Sequence, residues 1–393
     1  MLQNFKNLFL SFLPLRLRSE VKELYSAMII SVFATSMVGI FEPVFLYLLF
    51  NRNFDVSRSL EYVLLYYLII YILYFFTVPL GAKFAKRFGY EYSMAISTIF
   101  TILFYVFLFW SNSYFWLIYL SIPMYVALKL FFWPAYHADF ARFSSAGEQG
   151  REISNLAVME SLVCVLGPLI GGLILEFFGF KVLFVVVATL VAASNVPMLV
   201  TKEKFKPTPF SYIEAFKKLF APENRRRFFA LLGFGEELIA VVIWPIFIYL
   251  VVKEFLGLGL LSALSILVTT LIYLYIGKLA DKRDRRVVSR YGSIFYFFGW
   301  LFRIIARGIS NIFLVDVFSR LAKNSVVIPI VAATYEEAQD NSVMGGIVFF
   351  EMALVLGKIL AMILALVLLQ IFAPGWNALF ILAGAFTLLY LLF

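Results

Sequence analysis

Long apolar runs, each about twenty residues, alternate along this chain with short polar and charged segments. A helix of about 20 residues crosses the hydrocarbon core of a bilayer. Twelve runs are long enough, and all must be helical because the bilayer core offers the backbone no water to bond. The predicted spans are residues 24–50, 60–82, 93–111, 115–137, 154–177, 182–200, 228–252, 259–277, 289–307, 312–333, 342–368 and 376–393.

An internal repeat divides these spans into two groups of six, on either side of the basic stretch 201–227. Pro134 and Pro329 lie 195 positions apart, as do the loops 82–91 and 277–286. Because six is even, both groups begin on the same side of the membrane and form parallel repeats. We therefore predict an all-α membrane protein of twelve transmembrane helices in two six-helix pseudo-symmetric bundles. Its predicted regions are an amphipathic lead-in (1–22), a first bundle (23–200), a central loop (201–227) and a second bundle (228–393).

The charges are distributed unevenly about the predicted membrane. The chain is 63% hydrophobic and 15% charged, with a net charge of +9. By position, 23 Lys and Arg fall on the side of the N-terminus and 5 on the other side. The positive-inside rule predicts a multi-pass protein of the cell membrane with both termini cytoplasmic, and it accounts for the net charge without nucleic acid. One cysteine, Cys164, and one histidine, His137, argue against a disulfide and against a metal centre, so no cofactor is expected.

Charged residues within a span are costly and mark functional sites by default. Glu42 lies beyond the middle of the first span and is the leading candidate for a proton carrier, with a structural glutamate as the alternative. Trp244 is its counterpart in the second repeat, where it can stack a flat or cationic ligand or simply pack. The residues predicted to line the cavity or couple to it are Glu42, Lys129, Glu160, Glu236, Glu237, Trp244, Asp316, Arg320, Lys323, Glu351 and Lys358.

Neighbouring acids in the seventh span point in different directions. Glu236 and Glu237 lie about 100° apart on a helix, so one can face a cavity while the other packs, although interfacial solvation is the alternative. Lys129 has no acid on its own span and needs a partner from elsewhere. Arg303 is close to the outer end of its span, where it is expected to snorkel toward water.

Two later spans place their charges on single helix faces. Asp316, Arg320 and Lys323 follow one another at steps of four and three, and Glu351 and Lys358 share a face of the eleventh span. These groups either neutralise one another or form a network that recognises or exchanges an anion. The tenth span has a net positive charge, so a partner must come from another helix or from a substrate.

Two motifs resemble a known family. Residues 277–286 read G-K-L-A-D-K-R-D-R-R between two apolar spans, a run that resembles the cytoplasmic loop motif of the major facilitator superfamily (MFS). Gly167, Pro168, Gly171 and Gly172 resemble the G-P-x-x-G-G element of its proton-driven drug exporters. The resemblance implies alternating access around a midplane site between the repeats, as in prokaryotic proton-coupled drug or metabolite exporters. Physically, proline frees a backbone carbonyl and glycines let helices approach closely.

The loops of such a transporter are expected to gate it. The gating residues are Lys86, Arg87, Gly89, Arg151, Gly277, Asp281, Arg285 and Arg286. Asp281 is predicted to cap the fifth span near Arg151 and so to latch the halves together. Lys86 stands where the family usually has Asp, and the fourth span lacks the R-x-x-Q-G element of drug exporters. His137, at the inner end of that span, is predicted to be a solvated interfacial residue rather than a proton carrier.

The predicted function is proton-coupled efflux of small amphipathic compounds by a monomer in the bilayer. The alternative is a proton- or sodium-coupled symporter that imports a small metabolite, neutral or anionic, and the direction of transport separates the two. A membrane enzyme is not expected, because the longest loop is basic and has no cluster of acids or histidines. A scaffold without transport would have little reason to keep opposed charges in its spans.

Overall fold

The structure is a computed structural model that describes residues 19–54, 58–143, 149–195, 207–280, 285–340, 342–372 and 375–393. Only the backbone is described for helix residues 19–25, 142–143, 149–159, 273–280, 285 and 340. Throughout these ranges the regular elements are helices. The predicted lead-in therefore lies mostly outside the described residues, and so does Asp281, the residue of the predicted latch.

The first half contains six helices: α1 (Ser19–Gly39), α2 (Glu42–Asn53), α3 (Ser59–Phe88), α4 (Tyr90–Ser111), α5 (Leu117–Phe143) and α6 (Gln149–Ser194). The first predicted span is divided between α1 and α2. Pro43, in the first turn of α2, has no backbone N–H to bond into the preceding turn, so the helix ends and begins again.

One long helix replaces two predicted spans. The fifth and sixth spans both lie on α6, which is interrupted at Gly179. Gly179 has φ 76° and ψ 177°, a backbone conformation that favours glycine because it has no Cβ. The chain therefore reverses at one residue, without the short loop expected there.

The central segment packs against both halves, on α3 and on the helix Val343–Ile371. Helix α7 (Tyr212–Leu219) begins at Ser211, whose hydroxyl accepts a hydrogen bond from the Glu214 amide at 3.3 Å. Tyr212 donates to the Phe76 carbonyl of α3 at 3.0 Å. Burial lowers the pKa of Lys218, although Glu337 opposes the change. The side of the bundle that carries α7 is called the loop side here, and the opposite side is the far side.

The second half begins with an irregular helix. The α-helices described in the second half are α8 (Arg225–Leu231), α9 (Gly235–Leu238), α10 (Trp244–Val252), α11 (Phe255–Ala280), α12 (Arg285–Ile305), α13 (Ile309–Asp340), α14 (Val343–Ile371) and α15 (Trp376–Thr387). A π-helix, Ile239–Ile243, joins α9 to α10. Pro245 follows it, and a π-turn is a common way to accommodate such a break in the ladder.

Glycines let the two halves meet closely. A methyl group at Gly171 would collide with the Met37 carbonyl of α1, and one at Gly259 would collide with the Pro168 carbonyl. A methyl group at Gly172 would lie 3.0 Å from the Phe255 carbonyl oxygen of α11. The glycines of the fifth-span motif thus serve close packing within the first half and across to the second.

Eight helical stretches of the described chain are long and apolar enough to cross a membrane. They are Ser26–Asn53, Ser59–Phe88, Tyr90–Ser111, Leu117–Ala141, Glu160–Ser194, Pro222–Val252, Phe255–Ile272 and Val343–Ile371. The shorter apolar stretch Trp376–Leu392 follows them. The ninth and tenth predicted spans fall on α12 and α13, which carry more polar side chains, so twelve crossings remain a prediction.

Candidate functional site

A cavity of about 960 Å³ lies between the two halves. Most of its wall is apolar or tyrosine side chain, and charged groups enter it from both halves. The predicted residues that line it are Glu42, Lys129, Glu160, Glu237, Trp244, Asp316, Arg320 and Lys323. The predicted residues Glu236, Glu351 and Lys358 are buried behind this lining.

Glu42 is buried at the start of α2 with 7% of its surface exposed. The Tyr67 hydroxyl donates a hydrogen bond to its carboxylate at 3.0 Å. In the described part of the chain no cation lies within ion-pairing distance of it. Its carboxyl group therefore faces the cavity with one neutral donor as partner.

Lys129 of α5 is held by aromatic rings. Its ammonium lies 5.1 Å from the ring centroid of Tyr71, 5.4 Å from Tyr74, 5.7 Å from Tyr125 and 5.6 Å from Trp133. Such cation–π contacts contribute up to about 2 kcal/mol each when desolvated. No carboxylate of the described residues pairs with it, so the rings supply the partner that its own helix lacks.

The acids at positions 236 and 237 are separated as their helical spacing predicts. Glu236 is fully buried and accepts a hydrogen bond from Tyr296 at 2.6 Å. Glu237 faces the cavity and pairs with Lys358 at 2.7 Å and with Lys323 at 3.4 Å. Glu236 is therefore not a solvated group, whereas 31% of the Glu237 side chain is exposed.

The charges of α13 and α14 are neutralised mainly across helices. Asp316 and Arg320 form an intrahelical pair at 2.7 Å, but Lys323 pairs with Glu237 of α9. Glu351 and Lys358 share a helix face but do not form an ion pair with each other, because Lys358 binds Glu237 instead. The described residues therefore contain no direct ion pair between Glu351 and Lys358, although the two charges still attract each other at longer range.

Trp244 is a fixed part of the wall rather than a free stacking surface. Its indole N–H donates to Asp316 at 2.9 Å, and its ring stacks on Phe247 with a centroid distance of 5.4 Å. The guanidinium of Arg303 lies 4.5 Å from the same ring. The expectation that Arg303 snorkels to water is wrong, because only 4% of its surface is exposed.

His137 is also buried, not solvated. Its Nε2 lies 3.2 Å from a Glu351 carboxylate oxygen and its Nδ1 lies 2.6 Å from the Tyr335 hydroxyl. The Tyr74 hydroxyl donates to the other Glu351 oxygen at 2.9 Å. This group, the interhalf cluster, joins α3 and α5 of the first half to α13 and α14 of the second. Lys129, Trp133 and His137 follow one another at steps of four and so share one face of α5, which was the sequence signal that His137 faces the cavity.

The loop residues are described in part. Gly89 joins α3 to α4 with φ 118°, and the Thr208 amide of the central segment donates to the Lys86 carbonyl at 3.0 Å. Arg87 lies over the ring of Phe88. Arg286, at the start of α12, interacts with a neighbouring group. For Arg151, Gly277 and Arg285 only the backbone is described, so the latch to Asp281 remains a prediction.

Side chains that can hold a metal ion do not cluster in the described part of the chain. The site instead brings carboxylates, cations and tyrosines of two packed helical halves around one cavity. That arrangement defines a class: a membrane transporter with its binding site between two halves.

The sequence of residues 24–318 matches the Major Facilitator Superfamily, and the chain belongs to this family. It is therefore a transporter and not an enzyme. Among curated proteins, no sequence matches it significantly.

Solved structures share the fold at low identity. The human organic anion transporter MFSD10 (TETRAN) is 15% identical, with a TM-score of 0.67 over 96% of this chain and 99% of that one. A POT family transporter in complex with 5-aminolevulinic acid is 13% identical, with a TM-score of 0.65 over 94% of each chain. A D-xylose–proton symporter is 13% identical, with a TM-score of 0.66 over 94% of this chain and 96% of that one.

Proposed function

We propose that this transporter is coupled to protons and that Glu42 binds the coupling proton. The observation that carries the proposal is the setting of Glu42: buried, facing the cavity, bonded to Tyr67 and without an ion-pair partner in the described residues. An acid already paired with a cation stays charged, whereas an acid with a neutral donor is free to exchange its proton.

Lys129 makes proton exchange at Glu42 sensitive to cargo. Both residues line the same cavity, and Lys129 has rings but no carboxylate as partners among the described residues. A cargo that displaces water from this region strengthens the attraction between the two groups, because charges interact more strongly in a low dielectric. Because excluding water also disfavours a charged carboxylate, cargo binding and the protonation state of Glu42 are coupled through one local field.

The cargo we propose is a small amphipathic compound, since the cavity wall is largely apolar and aromatic with charges at a few points. The G-P-x-x-G-G element of α6 supports export as the direction. We propose further that the protein acts as a monomer in the cell membrane with both termini in the cytoplasm, as the distribution of Lys and Arg favours.

The second candidate is a symporter that imports a small anionic metabolite. Two buried cations favour it, because neither Lys129 nor Arg303 has a carboxylate partner among the described residues. An anionic cargo would neutralise them.

Transport by inside-out vesicles under an imposed proton gradient tests the proposal. Two fluorescent probes are used, the lipophilic cation ethidium and the amphipathic anion carboxyfluorescein. We expect gradient-driven accumulation of at least one probe by the wild type, and its loss in Glu42→Gln, because a glutamine cannot exchange a proton. Accumulation in right-side-out vesicles instead would select the importer.

The matched control is Glu176→Gln. Glu176 is an exposed acid on α6, outside the cavity lining, so its variant should accumulate probe as the wild type does. Transport of either probe at equal rates with and without the gradient, or an unaffected Glu42→Gln variant, would refute proton coupling through Glu42.

A further inference from the structure

The far-side wall of the cavity contains a buried arginine, Arg303, which takes no part in the proposed proton coupling. Arg303 of α12 lines the cavity but is almost completely buried. Its guanidinium carbon lies 3.7 Å from the ring centroid of Trp300 and 4.5 Å from that of Trp244. The two indoles hold the guanidinium in place through its face, so its hydrogen-bonding edge remains for another partner.

Two of the three guanidinium nitrogens of Arg303 have no partner within the described chain. The Nε and Nη1 atoms of Arg303 are shielded from solvent and make no hydrogen bond there. The Ser319 hydroxyl, which also lines the cavity, is buried with its oxygen unpartnered as well. Buried charged donors without acceptors are strongly unfavourable, so a site that keeps them is suited to an acceptor that comes and goes.

The nearest acid does not supply that acceptor. One carboxylate oxygen of Asp316 binds Arg320 at 2.7 Å and the other accepts the Trp244 indole N–H at 2.9 Å. Glu236, the next acid of the same half, is bonded to Tyr296. Arg303 and Arg320 therefore share Asp316, and these three groups together have two positive charges against one negative charge.

We propose that Arg303, with the Ser319 hydroxyl, binds the carboxylate of the transported molecule, and that the cargo is a small amphipathic monocarboxylate. The planar fork of a guanidinium matches the two oxygens of a carboxylate. The single excess charge suits a monoanion, and the apolar remainder of the cavity suits an apolar body. This proposal rests on the proposed function in that it names the cargo of the same cavity.

The structural alternative is that Arg303 only packs between its two indoles. Packing and binding differ in one observable, because only a binding role makes the protein's thermal stability depend on an added anion. A ligand that binds the folded state alone raises the unfolding temperature with its concentration.

The experiment is thermal unfolding of the purified full chain in detergent, titrated with benzoate and indole-3-acetate. Benzamide, the uncharged analogue, and inorganic phosphate are titrated in parallel. We expect the two carboxylates to raise the unfolding temperature of the wild type, and benzamide and phosphate to leave it unchanged. In Arg303→Gln the apparent affinity for the carboxylates should fall at least tenfold.

Arg307→Gln is the matched control. Arg307 lies one turn beyond Arg303 and is exposed outside the cavity, so removing its charge should leave the titration as in the wild type. Arg303→Lys and Ser319→Ala serve if Arg303→Gln fails to fold. Lysine keeps the positive charge but lacks the planar donors of a guanidinium, and alanine removes the hydroxyl. Both variants should therefore bind the carboxylates several-fold more weakly.

Carboxylates that fail to stabilise the wild type, or that stabilise Arg303→Gln equally, would overturn the proposal. Stabilisation by phosphate through Arg303 would replace the carboxylate class with inorganic anions. The assay has no membrane and no gradient, so it measures carboxylate binding separately from proton coupling. A loss of proton coupling with binding intact would therefore refute the proposed function alone.

Discussion

Tyrosine is the main partner of the buried carboxylates in this protein. Tyr67 donates to Glu42, Tyr74 donates to Glu351 and Tyr296 donates to Glu236. A phenol offers one donor and a large apolar body, so it stabilises a buried charge without adding a second one. The spacing of Tyr67, Tyr71 and Tyr74 along one face of α3 was visible in the sequence, although the acids they meet were not.

The buried lysines should differ in their effect on stability. Lys358→Met removes the shorter of the two ion pairs of Glu237 and leaves Lys323 at 3.4 Å, and losing a hydrogen bond between charged groups costs about 1.5–3 kcal/mol. Lys129→Met leaves no carboxylate unpaired, and the relief of the desolvation of a buried charge offsets the lost cation–π contacts, so the unfolding temperature should stay within a few degrees or rise. Thermal unfolding of both variants in detergent measures the contrast. Equal destabilisation would show that the aromatic rings stabilise Lys129 as fully as an ion pair stabilises Lys358.

At the scale of the element, small residues decide how closely helices approach. The carbonyl of Met37 lies against Gly171, so α1 and α6 are in backbone contact. The carbonyl of Pro168, which proline frees from its helix, lies against Gly259 of α11. The sequence motif therefore has a packing meaning that holds whatever the direction of transport.

Gly171→Ala should destabilise the protein by about 1–3 kcal/mol, because the added methyl group meets a backbone carbonyl that cannot rotate away. Gly39→Ala is the control, since a methyl group at Gly39 meets nothing within 4 Å. The unfolding temperatures of the two variants are compared with that of the wild type. A Gly171→Ala protein as stable as Gly39→Ala would mean that α1 and α6 separate without cost.

At the scale of the molecule, the halves are joined on both sides of the cavity. On the far side Phe255 of α11 meets Phe41 and Phe180, with centroids 6.4 Å and 5.2 Å away. Toward the loop side the interhalf cluster joins them through His137 and Glu351. Apolar contacts separate with little electrostatic consequence, whereas the cluster exposes a carboxylate and an imidazole when it opens. The cluster is therefore the contact most able to respond to charge in the cavity.

Tyr74→Phe should lower the population of the conformation described here relative to a conformation in which the interhalf cluster is open. It removes the hydrogen bond to Glu351, and bonds to charged groups contribute about 1.5–3 kcal/mol, which is tenfold or more in a population ratio. Spin labels at Tyr92 and Tyr291, exposed positions on the loop side of opposite halves, report the change as a distance distribution. The labels require replacement of the single native cysteine, Cys164.

Tyr66→Phe is the matched control for this measurement. Tyr66 lies on the same helix, but its hydroxyl bonds Ser121 within the first half at 2.7 Å. Its loss should leave the distances between the halves unchanged. Identical distributions for the two variants would mean that the Tyr74–Glu351 bond does not bias the conformational equilibrium.

Most of the secondary structure follows from the apolar runs, and the exceptions have local causes. Pro43 divides the first span, and Gly179 lets two spans join without a loop, because each residue changes what the backbone can do at one position. The inner acid, Glu236, and the cavity acid, Glu237, followed from helical geometry. The burial of His137 and Arg303 did not, since each is enclosed by side chains that lie far away in the sequence.

The sequence by itself determined that this is a helical membrane protein, because hydrophobicity and charge bias act through local composition, and it predicted two related halves. It also determined which charges had to be explained within the membrane. The tertiary structure alone decided their partners, since an ion pair or a ring contact depends on distances between different helices. Glu237 therefore binds Lys358, Glu42 accepts a hydrogen bond from Tyr67, and Arg303 lies against two indoles with Nε and Nη1 unpartnered among the described residues.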